Sequence, residues 1–323
     1  MLAPFKKADP RRAVIQLLTT VVPFIALWIL MLLSLRGPYL ITLLLAIPTA
    51  GLMVRMFIIQ HDCGHGSFFP SPRANHALGF LLGVATLTPY RYWRRTHAIH
   101  HATSGNLDRR ELGDVVTLTV REYRSRSRWG RLGYRLYRNP LVLLVGGPIY
   151  QFLIKHRFPY DAPRTWRKEW ASILWTDVAI AAVLVAAAST IGLPAFLLVQ
   201  GPIFLISGAA GIWLFYVQHQ FDDTYWEGKE RWDFHLAGIE GSSFYDLPAV
   251  AHWFTGNIGY HHVHHLSSLI PNYRLREAME KTPELQHVTR LKFVESLRCL
   301  GLKLWDEDSR QLVGFRHLRR LQA

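Results

Sequence analysis

Of sixteen histidines in 323 residues, ten crowd into four short stretches. Two stretches repeat one spacing, H-x-x-H-H: His97, His100 and His101 in "HAIHH", and His261, His264 and His265 in "HHVHH", where His262 is extra. A third, "HDCGH", sets His61 and His65 four residues apart, and a lone His219 stands in "VQHQFDD". Side chains three and four apart share one face of a helix. A proton relay or pH sensor uses one or two histidines with carboxylate partners. Metal binding is the chemistry that uses nine. A zinc site takes three or four protein ligands, so nine imidazoles suit two ions. Imidazole serves zinc, copper, iron and nickel alike. Two zincs would suit a hydrolase, and two irons an oxygen-activating centre. Soluble di-iron bundles rely on carboxylates and paired Glu-x-x-His motifs. Here only Glu284 and His287 have that spacing, so the shell would be almost wholly imidazole.

These stretches must be brought together by other elements. Half the chain is hydrophobic, yet its formal net charge is +14. Apolar runs over residues 13–35, 38–59, 175–193 and 194–217 are each long enough, or nearly so, to cross a bilayer as a helix. The first follows Lys6, Lys7, Arg11 and Arg12 but exceeds a signal-peptide core and lacks a small-x-small cleavage site, so it reads as a retained anchor. Residues 77–87 and 141–154 are shorter and suit interfacial or re-entrant pieces. Residues 91–170 carry 17 Lys/Arg against 6 Asp/Glu, whereas the turn near Gly192 is uncharged. The positive-inside rule then puts both termini and the middle region in the cytoplasm. The expectation is one membrane domain over 1–323. Four spanning helices form two hairpins beneath an all-α cytosolic cap from residues 61–170 and 218–323. The C-terminal stretch beyond Pro283 reads as amphipathic helices, with His287 and His317 on the surface. All four histidine groups fall on the cytoplasmic side. Topology accounts for the basic excess without nucleic acid; anionic lipid or an acidic protein partner suits it better. Cys63 and Cys299 form no C-x-x-C, disulfide framework or iron–sulfur set.

With three boxes in this order around two hairpins, the sequence resembles the membrane fatty acid desaturases. "HDCGHGSFF", "THAIHHATSGNLD", "RLYRNPLVLL" and "GNIGYHHVHHLSSLIPNYRL" are similar to the bacterial and plant-type acyl-lipid desaturases, the Δ12-like branch, from about Met53 to Leu275. The resemblance implies two non-haem irons with O2 as co-substrate. His61, His65, His97, His100, His101, His261, His264 and His265 are the implied ligands, joined by His219 just past the fourth span. His262 has no counterpart among the family's usual ligands. Some acyl-CoA members carry an asparagine one turn before the His219 position; here it is Phe215.

Such a centre would remove two hydrogens from an unactivated chain. Asp62, Asp108, Asp222 and Asp223 lie near ligand histidines in sequence and are the expected partners of ligand N–H groups, with His262 beside them. Phe68, Phe69, Trp93, Trp253 and Tyr260 are aromatic residues available to line an acyl tunnel. Arg94 and Arg95 are placed to meet lipid phosphate or an acidic donor. No haem motif, iron–sulfur cysteine set or Rossmann glycine fingerprint is present, so electrons come from a partner of ferredoxin or flavodoxin type. The expected protein is a bacterial inner-membrane oxidoreductase acting on a lipid-linked acyl chain. Hydroxylation or ketolation of fatty acids, alkanes or carotenoids is the nearest alternative chemistry. A histidine-rich zinc transporter would instead bury polar ligands within its spans, where Asp177 is the only acid in the apolar runs.

Overall fold

The computed structural model describes residues 1–110 and 112–320. Four of its helices are long and apolar enough to cross a membrane: α1 (Pro10–Ser34), α2 (Tyr39–His65), α7 (Arg167–Thr190) and α8 (Leu193–His219). They match the four expected runs, with α2 and α8 continuing through the histidines at their ends. Asp9 caps α1 by accepting from the backbone N–H groups of Arg11 and Arg12, ahead of Pro10 in the first turn. α2 stops at Gly66, whose φ of 73° is the left-handed conformation that a glycine adopts without cost. More than half of the apolar window of α2 is buried, against 11–22% for the other three, so α2 is the central span.

Above these spans lie α3 (Pro72–Ala85), α4 (Tyr90–Thr103), α5 (Val120–Ser125), α6 (Arg128–Tyr137), α9 (Phe234–Ile239), α10 (Ala249–Phe254), α11 (His261–Leu266) and α12 (Asn272–Glu280). Residues 77–87, expected to be interfacial, belong mostly to α3, which packs on α2 and α7. Residues 141–154 wind with π-type spacing over Val142–Gly146 and Ile149–Lys155. Asp177, the lone acid of the apolar runs, pairs with Arg157 just after that segment.

The region beyond Pro283 departs from the helical expectation. It carries β3 (Arg290–Lys292), β4 (Leu304–Asp306) and β5 (Gln311–Val313). β3 pairs in parallel with β2 (Phe244–Asp246), Phe244 opposite Arg290. β4 pairs in parallel with β1 (Leu118–Thr119) and antiparallel with β5. Among the described residues, helix is confined there to single turns such as Phe293–Ser296 and His317–Arg320, while Leu304, Trp305 and Leu312 enter the core from the strands. The expected surface histidines behave as read: His287 is exposed, and half-exposed His317 lies 3.4 Å from Asp306.

Candidate metal centre

The four histidine stretches meet where α2 and α8 end. α2 delivers His61 and His65, one turn apart; α4 delivers His97, His100 and His101; α8 ends at His219; α11 carries His261, His264 and His265. Their ring nitrogens fall into two sets, His61, His65, His97, His101 and His264 in one and His100, His219, His261 and His265 in the other. Within each set the offered nitrogens lie within 4.8 Å of one another. His101 and His265 stack across the boundary with ring centroids 4.2 Å apart. The nine histidines singled out by spacing are the nine gathered here.

Each H-x-x-H-H box serves both sets, which a shared helical face alone does not predict. On α4, His97 and His101 are four apart and turn to the five-member set, while His100 turns to the four-member set. On α11 the roles are exchanged: His261 and His265 join the four-member set and His264 the other. Residues at i and i+4 nearly eclipse on a helix, whereas i+3 sits on the flank. Two boxes facing one another therefore interlock the two sets.

The environment leaves several of these rings short of partners. Burial, followed by neighbouring imidazoles, holds His97, His101, His261, His264 and His265 well below the ordinary histidine pKa. Their lone pairs are free at neutral pH. The Nε2 atoms of His65, His100 and His265 are buried without a hydrogen-bond partner. His101 Nε2 lies 3.1 Å from His97 Nε2 and 3.0 Å from His264 Nε2. A single ring nitrogen can donate or accept once, so it cannot satisfy both neighbours. A cation between them can. His219 and His261 approach through Nε2 at 2.9 Å. With metal–imidazole bonds of about 2.1 Å, ligands at right angles sit about 3.0 Å apart and tetrahedral ones about 3.4 Å apart. The close nitrogen pairs and the 4.8 Å span of each set leave room for one ion per set.

Three groups aim the rings. His61 Nδ1 is 3.0 Å from Asp62 Oδ1, while Asp62 Oδ2 accepts from the backbone and side-chain nitrogens of Asn272 at 2.6 and 2.8 Å. Asn272 in turn accepts from Gln16 at 2.8 Å, which ties the ligand to α1 and α12. His100 Nδ1 lies 2.5 Å from Asp114. His219 Nδ1 is 3.0 Å from the Gly241 carbonyl. Sequence proximity found Asp62 but missed Asp114. The other expected acids are elsewhere: Asp108 accepts from the Lys229 backbone N–H at 2.8 Å, and Asp222 and Asp223 are exposed. In this structure they are loop acids. His262 is in neither set and bonds the Leu285 carbonyl at 3.1 Å.

Of the aromatic residues named from sequence, Trp93 touches the site, stacking on His97 at 4.5 Å. Phe68 and Phe69 pack on each other, Tyr260 stacks on Phe244 and His252, and Trp253 lies under Arg55. Phe215 sits 5.1 Å from His100 and 5.3 Å from His219, an apolar wall beside the four-member set. Arg95 is held by Glu169 and the Trp166 ring, whereas Arg94 is exposed.

Comparison with known proteins gives a consistent picture. The family model described as fatty acid desaturase matches residues 36–293, which contain all nine histidines. A fatty acid desaturase of Bacillus subtilis is 51% identical over 320 residues, 99% of this chain and 90% of its own. An sn-1 acyl-lipid omega-3 desaturase (ferredoxin) of Synechocystis is 30% identical over 243 residues, 70% of this chain and 62% of that protein. A Delta(12)-acyl-lipid-desaturase of Punica granatum is 28% identical over 243 residues, 69% of this chain and 60% of that protein.

Proposed function

The chain belongs to the fatty acid desaturase family, and from that premise we propose that it is an O2-dependent acyl-lipid desaturase with a di-iron centre and an external electron donor. The observation that carries the reading is the convergence of nine imidazoles into adjoining sets of five and four. His61, His65, His97, His101 and His264 would hold one iron, and His100, His219, His261 and His265 the other. Bound there, the irons would supply the redox chemistry that couples O2 reduction to C–H cleavage. The overall balance is a –CH2–CH2– unit, O2, two electrons and two protons giving –CH=CH– and two waters.

The protein's own residues do the rest. Asp62 and Asp114 accept from the Nδ1–H of His61 and His100, which fixes the tautomer that leaves Nε2 free to ligate. The Gly241 carbonyl does the same for His219. Trp93 pins the plane of His97. Phe215 keeps water from the flank of the four-member set and favours an apolar substrate there. The printed names of the relatives favour desaturation over a zinc hydrolase. Relatives named for ferredoxin support a ferredoxin or flavodoxin donor, and relatives named acyl-lipid desaturases support a lipid-linked substrate. We place the protein in a bacterial plasma membrane with both termini cytoplasmic, as its basic segments indicate.

Expression in a bacterial host with ferredoxin and its reductase, followed by gas chromatography–mass spectrometry of fatty acids, tests this. New unsaturated acids that disappear with His264→Ala support it. New hydroxy acids, or an unchanged profile from iron-loaded protein, would overturn it.

A further inference from the structure

A second surface stands out away from the metal centre. Residues 121–138 contain seven arginines, one glutamate and no lysine. Arg138 is fully buried, Arg121 pairs with Glu307 and Asp308, and Arg135 bonds the Tyr123 hydroxyl. Arg124, Arg126, Arg128 and Arg131 have no acidic partner among the described residues. Between them α6 exposes apolar side chains: Trp129 is 81% exposed, Leu132 45% and Leu136 53%. Their spacing of three and four places them on one face. The strip continues beyond the helix through Leu141, 75% exposed, Val145 and Ile149. A water-facing helix has no reason to spend such side chains on solvent.

The packing against α8 gives the depth of this strip. Counting from Leu193 at about 1.5 Å per residue, Phe204 lies about 16 Å along α8, Gly208 about 22 Å and Tyr216 about 34 Å. Phe152 packs against Phe204, and Pro148 fills the space a side chain on Gly208 would take. Residues 148–152 therefore lie within the roughly 30 Å hydrocarbon layer that α8 crosses. Arg138, one residue past the end of α6, bonds the Tyr216 hydroxyl at 3.2 Å. That contact brings the end of α6 to the headgroup layer, which begins where the hydrocarbon ends.

We infer that α6 is an in-plane anchor that seats Trp129, Leu132 and Leu136 among lipid chains and reads anionic phospholipid headgroups through Arg124, Arg128 and Arg131. Guanidinium groups form paired hydrogen bonds with phosphate, and long arginine stems let the charge reach the headgroups while the stem stays in apolar surroundings. Continuity with the spanning belt favours lipid over a soluble acidic protein, which would need the apolar side chains covered by a matching patch. The inference rests on the four helices crossing a bilayer and not on the chemistry of the metal centre.

The test uses the full chain in lipid nanodiscs with Trp129→Cys carrying an environment-sensitive fluorophore. Cys63 and Cys299 are each 1% exposed, so the parent protein serves as the unlabelled control. Phospholipids bearing a nitroxide just below the headgroup should quench the label, and aqueous iodide should not. Spin-labelled phosphatidylglycerol should quench at least about fivefold more than spin-labelled phosphatidylcholine at equal fraction, the factor that about 1 kcal/mol from one arginine supplies. Arg124→Gln/Arg128→Gln/Arg131→Gln should abolish that excess and leave quenching by phosphatidylcholine. Quenching by iodide alone would overturn the inference, as would equal quenching by both lipids in the unsubstituted background. Shielding of the label only on addition of an acidic electron carrier would reassign the surface to protein docking. Every readout is independent of iron loading and turnover, so failure of the desaturase reading would leave this result interpretable.

Discussion

At the residue scale, the proposed metal site is built from imidazoles and the groups that aim them. His264→Ala should lose metal from the five-member set and abolish activity while the protein stays in the membrane; elemental analysis of purified protein checks this. His262→Gln should keep the full metal complement, because His262 faces the Leu285 carbonyl instead. Asp114→Asn should weaken metal binding or activity by about 10- to 100-fold, measured by chelator competition, whereas Asp222→Asn should leave both unchanged. That contrast also marks what the sequence could say. Histidine spacing named nine residues that the fold brings together. Asp62 was legible because it adjoins His61. Asp114 was not, since it reaches His100 from an irregular loop closed by Gly113, whose φ of 84° admits glycine and whose added Cβ would meet His100 Cβ at 3.0 Å. No periodicity announces such a contact.

At the element scale, helix ends decide the site. α2 and α8 carry proposed ligands in their last turns, so anything that shifts those ends relative to α4 would shift the proposed metal site. Arg138 joins α8 to the cap: its guanidinium donates to Val116 O, Thr117 Oγ1, the Tyr216 hydroxyl, Gln220 Oε1 and Leu302 O. Arg138→Met should cost more than about 3 kcal/mol, because several buried acceptors lose their donor at once. Thermal unfolding in detergent, followed by tryptophan fluorescence, reads that loss as a lower midpoint. Long apolar runs made the spanning helices easy to recognise. The strands beyond Pro283 were harder to see. Each is three residues long, and its pairing depends on partners such as β1 and β2 far away in sequence. Such short segments carry little pattern of their own.

At the scale of the whole molecule, the cap holds many histidines neutral, which links stability to pH. Burial lowers the pKa of His262 to about 4, against about 6.5 in an unfolded chain. Below pH 6.5 the unfolded chain takes up a proton that the folded protein refuses, so stability is full above 6.5 and declines as pH falls toward 4. Unfolding midpoints should be level from pH 8 to 7 and fall below 6.5, with a shallower fall in His262→Gln. A midpoint that rose on acidification would contradict the burial of these rings. The two histidine sets also differ in a way that bears on how the protein is handled. His65, His97 and His101 are partly buried, each keeping some surface exposed, while all four members of the other set are buried. Exchange kinetics should follow that difference. A chelator reaches the first position without opening the cap and the second only when the cap opens, so partly stripped protein is a single species with its remaining ion in the sealed position. Refilling it with an isotopically distinct iron would label one position selectively and give each iron its own spectroscopic signature.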